Sequence, residues 1–163
     1  MNTTGNRTTI TTEPGTPFLE IVREFDAAPA LVFRAHVEPD LVAQWLGPRN
    51  RGTRIEEFDA RSGGRYRYVN TGRDGDSFEA HFRGVFHTVE PNELIIQTFE
   101  WEGAPNEVAL ETHRFEDLGN GRTRLTSHSV FPSVQALEGA LANGMSYGIN
   151  DSMDRLAELL PTL

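Results

Sequence analysis

The chain contains no cysteine. That excludes disulfides, thiolate nucleophiles and zinc–thiolate centres. Lysine is also absent, so all fifteen basic residues are arginine. A Schiff-base lysine and a phosphate-loop lysine are therefore excluded. No apolar run is long enough to span a bilayer, and the opening "MNTTGNRTTITTEPGTP" has no apolar signal core. The expectation is a cytoplasmic protein. The formal net charge of -9 argues against general binding to nucleic acid or to a membrane surface.

What is present fits one domain. A chain of 163 residues with 37% hydrophobic content is large enough to bury its own core. Residues 1–17 read as a flexible arm, with an edge strand as a candidate at "RTTITTE", and 18–163 as a single domain. "FLEIVREF" alternates and reads as a strand. "APALVFRAHV" and "EPDLVAQWLG" read as two short helices, each opened by a proline. Six β-like segments follow: "TRIEEFDA", "GRYRYVNT", "SFEAHFRGVFHTV", "ELIIQTFEWE", "EVALETHRFED" and "RTRLTSHSVF". Turn-forming residues separate them, the pattern of an antiparallel meander.

The chain closes on a continuous apolar stripe. Leu137, Leu141, Met145, Ile149, Met153, Leu156 and Leu160 recur every three or four residues, predicting one helix from about Ser133 to Leu160. Ser133 is the candidate cap. The whole predicts an α+β fold: a seven-stranded curved antiparallel sheet, two short helices after its first strand, and a long C-terminal helix packed across it. Within that helix, Ala140, Gly144, Gly148 and Ser152 fall four apart. Such a seam either lets the helix touch the sheet or leaves space beside it.

Five segments in order resemble the START-like helix-grip (SRPBCC) superfamily, in its activator of Hsp90 ATPase homologue (AHSA1-like) branch. They are "REFDAAPALVFRAHVEPDLVAQWLGP", "FDARSGGRYRY", "FRGVFHTVEPNELIIQTFEW", "GRTRLTSHSVFP" and "GMSYGINDSMDRLAELL". The resemblance implies the same fold, a central ligand cavity and often no enzymatic activity. The eukaryotic namesake is a co-chaperone with an extra N-terminal domain that has no counterpart in these residues, so the Hsp90 role transfers poorly. Where many relatives carry an aromatic residue, often tryptophan, this chain has Ile149, which leaves more room in the implied pocket.

Alternation places Tyr66 and Tyr68 on one strand face and Arg65 and Arg67 on the other. The expected cavity lining is Trp45, Tyr66, Tyr68, Phe82, Phe99, Trp101, His113, Met145, Ile149 and Met153, with Trp45 closing one mouth. Core filling by the same aromatics is the competing reading. The expected ligand is an apolar or aromatic small molecule. His113 and His128 are the candidate polar handles, their faces left open. None of the five histidines has metal-ligand spacing, so no metal and no cofactor are expected. No catalytic residue is assigned: neighbours in Ser127-His128-Ser129 point to opposite faces, and no nucleophile elbow occurs. A cyclase- or hydratase-like enzyme using a pocket acid–base residue remains an alternative. So does a co-chaperone-like or stress-response interaction module, docking a protein through its Arg65/Arg67 face, as monomer or homodimer.

Overall fold

A computed structural model describes residues 6–163. Its elements in chain order are β1 (Thr9–Thr12), β2 (Phe18–Phe25), α1 (Pro29–Val37), α2 (Pro39–Trp45), β3 (Gly52–Phe58), β4 (Arg65–Thr71), β5 (Glu79–Glu90), β6 (Leu94–Trp101), β7 (Ala109–Gly119), β8 (Arg122–Val130), α3 (Val134–Ala142) and α4 (Met145–Leu159). A 3-10 turn, Leu160–Thr162, ends the chain. All strands pair antiparallel in one sheet of order β1-β2-β8-β7-β6-β5-β4-β3. The candidate edge strand in the N-terminal arm is real, and it makes the sheet eight-stranded rather than seven-stranded. Irregularities at Ile55/Glu57, Phe86/Thr88 and Asp117/Gly119 interrupt the ladders. Each adds local twist, which helps the sheet curve.

Period-two patterning sets the layers. In β8 the odd residues Thr123, Leu125, Ser127 and Ser129 are buried and their neighbours half-exposed. The buried face packs on the helices. Phe25, Val32, Phe115, Leu125, Met153 and Leu156 meet there in one cluster. Full burial of an aliphatic or aromatic side chain of this kind is worth roughly 1.5–3 kcal/mol.

The helices are short where the chain stops them. Pro29 and Pro39 begin α1 and α2, where a missing N–H costs nothing. The segment after α2 then grips α4. Gly47 N–H donates to Ser152 Oγ at 2.8 Å, and the Arg155 guanidinium donates to the Gln44 and Gly47 carbonyls at 2.9 Å. The bond to Gln44 satisfies a carbonyl that the end of α2 leaves open.

The C-terminal stripe does not form one helix. Ser133 caps α3, its hydroxyl accepting from Ala136 N–H at 3.0 Å. The helix then stops at Asn143, and Gly144 takes a left-handed φ of +85°. That conformation ends helices and suits glycine, which has no Cβ to clash. Ala140 is thus separated from Gly148 and Ser152 by a break rather than joined to them in one seam. A Cβ placed on Gly148 meets nothing within 4 Å. Close approach to the sheet does not explain this glycine; open space lies beside it.

Candidate functional site

The concave face of the sheet carries a row of near-parallel rings. Tyr66 and Tyr68 on β4 have centroids 6.2 Å apart at 18°. Tyr68 stacks on Phe82 of β5, its register partner, at 5.0 Å and 19°. Phe82 stacks on Phe99 of β6 at 5.4 Å and 24°. Each such pair is worth about 0.5–1.5 kcal/mol beyond its burial.

Next to the rings runs a polar ladder whose members come from four strands, β4, β6, β7 and β8. The Tyr66 hydroxyl donates to the Thr98 carbonyl at 2.6 Å. Gln97 Nε2 donates to Glu111 Oε1 at 3.0 Å and reaches the Tyr66 oxygen at 3.4 Å. Ser129 Oγ donates to Glu111 Oε2 at 3.4 Å. Gly84 makes this possible. A Cβ there would lie 2.6 Å from the Tyr66 ring and hydroxyl. Burial, and secondarily the charge of Glu111, push the Tyr66 and Tyr68 phenols upward, so both stay protonated.

Two histidines border the ladder. His113 Nδ1 lies 2.7 Å from Ser127 Oγ, and its Nε2 lies 3.7 Å from Glu111 Oε1. The second gap is too long for a hydrogen bond. Ser127 is buried, so this Glu–His–Ser alignment offers no accessible nucleophile. His36 on α1 donates from Nδ1 to the Val32 carbonyl at 2.8 Å, which leaves Nε2 unprotonated in the neutral ring. Its ring centroid is 4.9 Å from Trp45 and 6.4 Å from His113. Burial holds His36 down at about 4, against the weaker opposing pull of its backbone hydrogen bond.

Solvent reaches parts of this face. Phe82, Phe99, Gln97, Glu111 and His113 are half-buried, as are Met145 and Ile149 on α4. Ile95 and Phe86 beside them are closed. Tyr68 is 6% exposed, yet its hydroxyl makes no hydrogen bond among the described residues and its oxygen is not sealed from solvent.

The expected lining residues divide accordingly. Tyr66, Tyr68, Phe82, Phe99 and His113 share the concave face. Met145 and Ile149 are half-buried on α4, and Met153 is packed in the core. Trp101 sits at the rim, 38% exposed, above Gly103. Trp45 is not at a mouth: it is buried, and its indole N–H donates to the Ala35 carbonyl at 2.9 Å. That bond pins α2 to α1. His128 takes the outer face, its ring 5.6 Å from Phe18. Gly84, Gln97, Glu111, Ser127 and Ser129 join the site without standing among the expected lining; alternation along β6, β7 and β8 was the available signal for the last four.

The arginine-rich stretch is neutralised within the chain. Arg65 pairs with Glu57, and Arg67 with Glu56 and with Glu102 at 2.8 Å. Arg49, Arg51, Arg54 and Arg61 each hold a carboxylate, and Arg73 donates to the Arg49 and Arg51 carbonyls. Two surface concavities lie away from the ring stack. One, of about 390 Å³, is walled by Asp40, Glu56 and Glu57 and by the apolar Pro39, Ile55 and Phe58. The other, of about 350 Å³, is walled by Arg67, Glu79, His81 and Glu102 beside Trp101. Both are wide and open, and each carries charged side chains in its wall. Among the described residues, no group of three or more His, Cys, Asp and Glu is placed to hold a metal ion. No helix there is long and apolar enough to cross a membrane.

A curved antiparallel sheet gripping a C-terminal helix over an aromatic and polar concave face defines the helix-grip, SRPBCC-type α+β domain. The chain belongs to the activator of Hsp90 ATPase homolog 1-like family, whose model matches residues 26–161. A solution NMR structure of a protein from Arthrobacter aurescens is 25% identical, with a TM-score of 0.85, over 95% of this chain and 92% of that one. A crystal structure from Rhodobacter sphaeroides is 23% identical, with a TM-score of 0.84, over 96% and 100%. One from Mycobacterium smegmatis is 22% identical, with a TM-score of 0.83, over 94% and 96%. The last two are similar in fold. No curated protein matches the sequence.

Proposed function

We propose that this chain binds a flat, mostly apolar small molecule between the concave face of its sheet and α4. The stack Tyr66–Tyr68–Phe82–Phe99 is the observation that carries the reading. Near-parallel rings, of which Phe82 and Phe99 are half-buried and Tyr66 and Tyr68 buried, offer a planar ligand both apolar area and offset stacking. The half-buried Ile149 and the open space at Gly148 leave room on the helix side. The polar ladder beside the rings supplies orientation. Binding through the Arg65/Arg67 face is less favoured, since those charges are already paired.

Native mass spectrometry of freshly purified protein, followed by denaturation, tests the reading. The expected result is an excess mass that denaturation releases as an apolar compound. A bare chain mass that also takes up no planar aromatic compound on titration contradicts it.

A further inference from the structure

We infer that the ligand's polar end is an uncharged hydrogen-bond donor, a hydroxyl or amine on an aromatic ring, received by Glu111, and that carboxylated ligands are rejected. The inference rests on the binding reading above and specifies its ligand class.

Glu111 is the centre of the case. It lies half-buried on the concave face, and two oxygens accept only from Gln97 and Ser129. A carboxylate has about four acceptor sites, so capacity remains. Among the described residues no arginine pairs with it, in contrast to the carboxylates around the arginine-rich edge. His113 stands 3.7 Å away, a separation that leaves both groups free to take a third partner. The Tyr68 hydroxyl is unpartnered on the same face. These groups favour a donor that can also accept weakly.

An anionic ligand meets the opposite situation. Partial burial weakens solvent screening, so a second negative charge beside Glu111 is strongly opposed. The buried cation on this face offers no relief. Arg23 commits its Nη1 to Asp154 at 2.7 Å and to Thr8 at 3.1 Å, and its Nε, without a partner, is sealed from solvent.

Calorimetric titration with 2-naphthol and 2-naphthoate at near-neutral pH tests this, since the two share a ring system and differ in the polar end. Wild type is expected to bind 2-naphthol tighter by about tenfold or more. Glu111→Gln keeps the volume and an acceptor oxygen but removes the charge. It is expected to bring the two affinities closer together by a similar factor, with the fold checked by circular dichroism. Equal affinities in wild type, or an unchanged ratio in Glu111→Gln, overturn the inference while leaving a binding pocket. If neither compound binds wild type, the pocket reading itself fails, and this inference with it.

Discussion

The Tyr66 side chain crosses β5 at Gly84, where a Cβ would lie 2.6 Å from its hydroxyl and 2.0 Å from the Thr98 carbonyl oxygen. The missing side chain is what lets a phenol on β4 reach a carbonyl on β6. Gly84→Ala is therefore expected to destabilise the fold by about 2–4 kcal/mol, through overpacking and a broken buried hydrogen bond. Urea unfolding measures the loss. A change below about 0.5 kcal/mol, the range of ordinary surface substitutions, contradicts the account of the ladder.

Gly144 and Gly148 are expected to respond in opposite directions. Gly148 lies inside α4 with open space at its Cβ position, so Gly148→Ala should stabilise by roughly 0.5–1 kcal/mol. Gly144 holds a left-handed conformation at the junction of α3 and α4, so Gly144→Ala should cost about 1–2 kcal/mol. Thermal unfolding of the two variants provides the comparison. Stabilisation by both would mean that α3 and α4 form one helix.

His36 makes stability depend on pH. Burial lowers its folded pKa from 6.5 to about 4. Above 6.5 the ring is neutral in both states and stability is complete. As pH falls below 6.5, the unfolded chain takes up a proton that the folded ring refuses, so stability declines. The loss approaches an order of 3 kcal/mol by the lower value. Glu100, Glu102 and Glu158 are held below their ordinary 4.5, so their paired forms are lost at lower pH. Denaturant unfolding across this window should show a slope that His36→Phe flattens. An equal slope in both proteins would contradict the assignment.

Much of the fold was legible in the sequence because its signals are local. Alternation in "FLEIVREF" and "RTRLTSHSVF", prolines at the starts of α1 and α2, and Ser133 before α3 each act through neighbouring residues. The helix break was hidden because Leu141 and Met145 keep a four-residue spacing across Gly144; an apolar stripe does not register one left-handed residue. The ring stack followed from alternation on β4, β5 and β6. The ladder did not, because Tyr66, Gln97 and Glu111 meet only through strand register and the notch at Gly84. Trp45 and His36 were obscured because contact between two short helices decides their burial.

Ile149 separates a ligand site beside α4 from a filled core. It is half-buried on α4 and packs against the core cluster that includes Tyr66 and Tyr68. Ile149→Trp adds a large ring to the space assigned to the ligand. The most direct measurement is calorimetric titration of wild type and Ile149→Trp with 2-naphthol, with unfolding curves to confirm that both are folded. The account predicts that the variant keeps its stability within about 1.5 kcal/mol and loses binding by about tenfold or more. Unchanged affinity in a folded variant would place the ligand elsewhere and contradict it.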